Sequence, residues 1–109
     1  MDIIIQSQGF KASDHLEKFI REKLNRRVNE SDNMIRANVT LYAASESNPQ
    51  NDICEIRLEV PGNDHFVKKG SDSFEKAITE TTNALQKILR REKDKQITNR
   101  HAERGVPGS

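Results

Sequence analysis

Cations at helical spacing are the residues of this chain with the clearest chemistry. Lys87, Arg91 and Lys95 recur at every fourth position, so on a helix they line one edge of successive turns. Such an edge faces either water or a polyanion. Two interpretations are open at this point: a solvated surface whose cations suit the C-terminal part of a helix, and a site for phosphate groups.

Two amphipathic helices are needed to position the cations. In the first, which begins at Ser13 or Asp14, apolar residues recur at i, i+3, i+4 spacing, and in the second, over residues 71–95, they do so after a cap at Asp72 or Ser73. Thr81 falls within the second apolar stripe. The basic residues are Lys18, Arg21, Lys23, Arg26 and Arg27 on the first helix, and Lys76, Lys87, Arg90, Arg91, Lys93 and Lys95 on the second.

Four segments read as strands, which gives the element order β-α-β-β-β-α. Residues 34–43 and 53–60 alternate apolar and polar, residues 2–8 open with a β-branched run, and residues 65–69 return after a turn over residues 61–64. Two helices that each have a single apolar face can cover only one side of a sheet. The predicted fold class is therefore α+β, a two-layer sandwich in which both helices pack on one face of a four-stranded sheet.

Length and charge are consistent with one small domain. The chain has 109 residues and a net charge of +1, yet residues 1–67 carry −3 and residues 68–109 carry +4. Residues 96–109 lack apolar periodicity and end in Gly and Pro, so we expect a domain over 1–95 and a flexible tail over 96–109. No export signal or spanning segment is evident, which predicts a cytoplasmic protein without a membrane partner.

The sequence contains no recognisable arrangement of catalytic residues. The three histidines, His15, His65 and His101, have no nucleophile motif beside them and are expected at surface or boundary positions, and Cys54 is expected to be a small core residue. No glycine-rich phosphate loop or metal-ligand spacing occurs, so we predict no enzyme, cofactor or small-molecule substrate. Phe19, Phe66 and Phe74 are expected in the core, which leaves only Tyr42 for base stacking and argues against a single-strand RNA platform.

The ordered set of motifs over residues 2–95 resembles the ribosome hibernation promoting factor and ribosome-associated inhibitor family, short form. The matching residues are Ile3-x-Ile5-Gln6-Ser7, Ser13-x-x-Leu16-x-x-Phe19-Ile20-x-x-Lys23-Leu24, Val39-Thr40-Leu41, Asp72-Ser73-Phe74-Glu75-Lys76-Ala77-Ile78 and Leu85-x-x-x-Leu89-x-x-x-Lys93-Asp94-Lys95. No single motif is diagnostic. The spacing of the whole set is what is specific.

The resemblance implies a fold shaped like double-stranded RNA-binding domains and binding in the small ribosomal subunit near its decoding region. There the protein would occupy the space of transfer and messenger RNA, by occlusion and without catalysis. Off the ribosome, we expect the protein to be a monomer. The positions that the resemblance implies against ribosomal RNA are Lys23, Arg26, Arg27, Lys87, Arg90, Arg91, Lys93 and Lys95.

Three departures from the family pattern stand out. Glu30-Ser31 replaces a hydrophobic-aromatic pair after the first helix, His65 replaces an aliphatic residue, and Thr81-Thr82 replaces apolar residues, which predicts a looser core there. Because the resemblance is to the short form, we expect no domain of the kind by which long-form relatives pair ribosomes. Two alternatives remain open: a protein-interaction module that pairs through an edge strand or the polar sheet face, and a general duplex-RNA binder.

Overall fold

The six predicted elements form in the predicted order. The computed structural model describes residues 1–28, 36–44 and 51–103, with side chains described up to residue 92. The strands and helices are β1 (Asp2–Ser7), α1 (Asp14–Arg27), β2 (Arg36–Ala43), β3 (Asp52–Val60), β4 (Asn63–Ser71) and α2 (Phe74–Glu103). The α+β prediction is confirmed. The polar break predicted over 29–33, Ile35 and most of the predicted loop over 45–52 lie outside the described residues.

The sheet follows chain order, β1-β2-β3-β4, which the sequence alone did not reveal. β1 pairs with β2 in parallel, while β2–β3 and β3–β4 are antiparallel. A parallel pair needs a crossover connection, and α1 provides it. This arrangement lays α1 against the sheet beside α2, which follows β4.

Strand alternation separates a buried sheet face from an open one, as predicted. On β2 and β3 the side chains that face the helices are fully covered. This inner face comprises Ala37, Val39, Leu41, Cys54, Ile56 and Leu58, and it packs against Ile20, Leu24, Ala77, Ile78 and Leu85 of the helices. Both helices therefore cover one side of the sheet.

Serine side chains begin both helices, which resolves two choices that the sequence left open. The hydroxyl of Ser13 accepts a hydrogen bond from the backbone N–H of Leu16 at 3.1 Å, and Ser73 accepts one from Lys76 at 3.2 Å. Each bond satisfies an N–H that lacks a partner within its helix. The prediction that α2 stops near Lys95 is wrong, because the helix continues to Glu103. Gly105 and Pro107 are the first strong helix breakers after Lys95, so composition alone did not require an earlier end.

Buried threonines of α2 are satisfied by the helix itself. Thr81 and Thr82 have no exposed surface. The Thr81 hydroxyl donates to the carbonyl of Ala77 at 2.6 Å, and the Thr82 hydroxyl donates to the carbonyl of Ile78 at 2.9 Å. These bonds remove most of the cost of burying a hydroxyl. The substitution of polar for apolar residues therefore leaves no unpaired group at this part of the core.

The β3–β4 hairpin reverses two expectations from the sequence. Phe66 was expected in the core and His65 near the surface, yet the Phe66 side chain is 49% exposed and His65 only 6%. The connection is a two-residue turn at Pro61 and Gly62, with Gly62 at φ 83°, so β4 begins at Asn63 rather than His65. Directly paired residues share a face: His65 lies opposite inward-facing Leu58, and Phe66 lies opposite outward-facing Arg57.

Cys54 lies in the core, as predicted, and is a source of alkaline instability. Burial raises the pKa of its thiol from 9.0 to about 12, against a smaller opposing effect of a hydrogen bond with Thr81. Below pH 9 the thiol is neutral in both folded and unfolded chains. Above pH 9 the unfolded chain loses the proton and the folded one does not, so stability falls until the pH passes about 12.

We expect Cys54→Ala to flatten this pH dependence. Between about pH 8 and pH 10.5 the wild-type chain should lose about 1–2 kcal/mol more of its free energy of unfolding than the variant does. Urea unfolding of both proteins at the two pH values measures the difference. Equal losses would show that Cys54 does not ionise on unfolding.

No helix within the described part of the chain combines the length and apolarity needed to cross a membrane.

Candidate nucleic-acid interface

The two helices begin at the same end of the molecule and run in the same direction. The ring of Phe10, just before α1, stacks on Phe74 at the start of α2 with centroids 4.9 Å apart. In the first turn of each helix, His15 Nε2 lies 3.4 Å from a carboxylate oxygen of Glu75. Phe19 then lines one cleft together with Thr79. Successive turns of α1 therefore lie beside successive turns of α2.

This parallel packing brings cations of both helices to one end of the helix layer. Arg27 lies as far beyond Phe19 as Lys87 lies beyond Thr79, so the last turn of α1 is level with the part of α2 that begins at Lys87. The predicted site residues with described side chains lie on these turns. We call them the basic cluster: Lys23, Arg26, Arg27, Lys87, Arg90 and Arg91. Lys93 and Lys95 follow on α2, and their side chains lie outside the described part of the chain.

The side chains of the basic cluster are available to solvent. Those of α2 are all exposed, as is Arg26, whereas Lys23 and Arg27 are half-buried. The Lys23 ammonium lies 5.4 Å from the centroid of the Phe19 ring, which holds its stem along α1. The Nε of Arg27 is buried and has no hydrogen-bond partner among the described residues, so part of this guanidinium is left unsatisfied.

Within the described residues, no carboxylate pairs with the basic cluster. Its cations form no ion pair with any Asp or Glu in residues 1–28, 36–44 and 51–92. The sequence offered Glu17, Glu22, Glu80 and Glu92 as possible partners at helical spacing, and none of them pairs with a cluster cation. Other cations of the chain do pair: Arg36 with Glu59 at 3.7 Å, Arg57 with Asp64 at 3.8 Å and Lys76 with Asp72 at 3.1 Å. A polyanion that approaches the C-terminal end of the helix layer would therefore meet positive charges that no described carboxylate compensates.

Two cations of the open sheet face are paired with carboxylates. Arg36 and Arg57 lie there as predicted, and their contacts with Glu59 and Asp64 occupy them. The Arg57 guanidinium also covers the Phe66 ring at 5.3 Å. Arg36 and Arg57 thus form ion pairs on this face, whereas the cations of the basic cluster form none with the described carboxylates. The open face is therefore a poorer phosphate surface than the helix layer.

Exposed aromatic and aliphatic groups on that face were missed by the sequence reasoning. Phe66 and Ile4, which is 41% exposed, both project from the open face of the sheet, and Tyr42 is half-buried there beside Lys68. A hydrogen bond with Tyr42 raises the pKa of Lys68, so this ammonium stays charged. The tight turn at Pro61-Gly62 could have identified Phe66, because a two-residue turn fixes the register of β4.

Within the residues whose structure is described, no group of three or more His, Cys, Asp or Glu side chains could hold a metal ion. The cleft between the helices is lined by Phe19, Glu75, Lys76, Thr79 and Glu80 and opens broadly to solvent.

Comparison with protein families decides the relationship that the motifs suggested. A family model described as Sigma 54 modulation protein / S30EA ribosomal protein matches residues 3–97. The chain belongs to this family. The resemblance to the ribosome hibernation family is thereby confirmed, and the S30EA family is ribosome-associated, as its description states.

Solved structures share the fold of this S30EA-family chain at low sequence identity. A ribosomal subunit interface protein from Coxiella burnetii has a TM-score of 0.75 at 21% identity, with 86% of this chain and 99% of that one covered. The N-terminal domain of Protein Y from Thermus thermophilus has a TM-score of 0.70 at 20% identity, covering 84% and 98%. At these identities the likeness concerns the fold alone. A search of curated proteins found no match.

Proposed function

We propose that this protein inactivates idle ribosomes by binding the small ribosomal subunit near its decoding region. The observation that carries the proposal is the basic cluster, whose exposed cations lack described counterions at one end of the helix layer. Membership of a ribosome-associated family supplies the partner. The eight predicted RNA-binding positions, the described cluster together with Lys93 and Lys95, would contact ribosomal RNA.

The mechanism would be occlusion. Lysine and arginine side chains bind phosphate oxygens and release the counterions condensed on RNA, largely without reading bases. A domain held in this way fills the space that transfer and messenger RNA need, and no covalent step is required. The protein would act as a monomer in the cytoplasm, where ribosomes translate, and would need no cofactor.

Co-sedimentation with purified small subunits over a salt series tests the proposal. Binding should be complete at low salt and should fall steeply as salt rises. A protein that makes about six phosphate contacts loses affinity by on the order of 1000-fold when the salt concentration rises from 50 to 200 mM. Pre-bound messenger and transfer RNA should reduce binding. Large subunits alone are the matched control and should pellet little of the protein.

Two outcomes would contradict the proposal. The first is a failure to pellet with small subunits at low salt. The second is equal affinity for any A-form duplex in a gel shift, which would favour a general duplex-RNA binder. Light scattering that shows a stable dimer without RNA affinity would favour a protein-interaction module instead.

A further inference from the structure

A partly buried contact joins the start of β4 to α2 next to the basic cluster. His65 Nε2 lies 3.1 Å from one carboxylate oxygen of Glu92, and the Asn63 side-chain amide donates to the other oxygen at 3.4 Å. His65 is almost fully covered, whereas Glu92 is partly exposed. Both oxygens of this carboxylate are therefore engaged from one strand.

The contact is favourable when a proton lies between His65 Nε2 and the Glu92 carboxylate. An unprotonated ring nitrogen and a carboxylate oxygen would bring two lone pairs together, which repel each other. The 3.1 Å approach lacks the angle of a good hydrogen bond and is an electrostatic contact. Glu92 is the one charged side chain that meets His65 among the described residues. The interaction thus depends on the charge of Glu92.

The position of this contact indicates that it orients the C-terminal part of α2. Asn63 is the first residue of β4, and α2 runs along β4 from the opposite end, so α2 leaves the sheet at Glu92. The helix then continues to Glu103, about 16 Å further at 1.5 Å per residue. Arg90 and Arg91 immediately precede Glu92. A tether at this point fixes the direction of the segment that carries the α2 half of the basic cluster.

We propose that Glu92 is a positioning residue for RNA binding, held by His65 and Asn63 so that Arg90 and Arg91 face the same RNA surface as the cations of α1. This inference rests on the proposed function. The contact also holds the Glu92 carboxylate against β4 and away from phosphate groups. Without it, a negative charge between Arg91 and Lys93 would oppose the function of its neighbours.

Removing Glu92 distinguishes a purely electrostatic effect of its carboxylate from a positioning role, because the two hypotheses predict opposite changes in the affinity for RNA. A carboxylate that merely lies near an RNA site weakens binding, so Glu92→Ala would then tighten it. If Glu92 positions α2, the same substitution weakens binding to small subunits by roughly three- to tenfold. Glu80→Ala is the matched control, because Glu80 is an exposed residue of α2 with no described ion pair. It should bind as wild type or slightly tighter.

The salt dependence separates positioning from a general loss of stability. Glu92→Ala should reduce the slope of log affinity against log salt by about one contact, while Glu80→Ala leaves it unchanged. His65→Leu should retain the fold, since an aliphatic side chain suits this buried position, and should weaken binding as Glu92→Ala does. The double variant should be no weaker than either single variant.

The results also separate this inference from the proposed function. Failure of the wild-type chain to bind small subunits overturns both. Wild-type binding together with Glu92→Ala binding as tight as Glu80→Ala overturns the positioning role alone. Amide hydrogen exchange over residues 87–91, measured without RNA, should be faster in His65→Leu than in wild type, and unchanged exchange would contradict the tether.

Discussion

Reversing the charges of Arg90 and Arg91 together is expected to lower affinity for small ribosomal subunits by roughly 100-fold or more. Each charged contact with a phosphate contributes about 1.5 kcal/mol or more, and the new carboxylates would repel the RNA in addition. Both side chains are exposed and lie off the buried stripe of α2, so folding should be unaffected. Titration of labelled protein with subunits at fixed salt measures the loss, and circular dichroism checks the fold.

An adjacent pair of lysines provides the control for net charge. Lys68→Glu with Lys69→Glu makes the same change in total charge on exposed positions of β4, away from the basic cluster. This variant should bind within a few-fold of wild type, because only the long-range field of the protein changes. Equal losses in both double variants would mean that binding follows total charge and that the cluster has no special role.

Truncating Ile56 is expected to have the largest effect on stability. Ile56 is fully buried on β3, which has a strand on either side, and it faces the helices. Ile56→Ala should lower the free energy of unfolding by about 2–5 kcal/mol, through lost apolar transfer and the cavity that remains. The melting temperature should fall by roughly 10 °C or more. Urea and thermal unfolding followed by circular dichroism measure both quantities.

Ile4→Ala is the matched control for that substitution. The residue type is the same, but Ile4 lies on the open face of the edge strand β1 and is 41% exposed. Its truncation should cost at most about 1 kcal/mol, because a partly exposed side chain loses little buried area. A comparable loss at both positions would indicate that the open face of the sheet is covered by another molecule or by another part of the chain.

Most of the fold prediction was based on the periodicity of apolar residues in the sequence. The alternation of β2 and β3 placed Val39, Leu41, Ile56 and Leu58 on the buried face, and the helical stripes placed the cations on outer surfaces. These patterns depend only on the side-chain period of each element, which is local. Strand order depends on pairings between distant segments, so the parallel β1–β2 pair could not be read from the sequence.

The wrong predictions concerned the register of β4 and the C-terminal end of α2. Phe66 and His65 exchanged faces because two apolar residues in β4 gave too short a pattern to decide its phase, which the turn at Gly62 then fixed. The end of α2 was placed too early because helix can continue beyond the apolar stripe that packs it. The Glu92 contact was invisible for a similar reason, since it joins segments far apart in sequence.

Parallel packing of the helices also separates side-chain charges along the helix layer. Acidic Asp14, Glu17 and Glu75 occupy the first turns, at the end where both helices start, and the basic cluster occupies the other end. A net charge of +1 conceals this separation. In the field of a polyanion such a molecule experiences a torque as well as an attraction, so it would turn its cationic end forward during diffusion, before any contact forms.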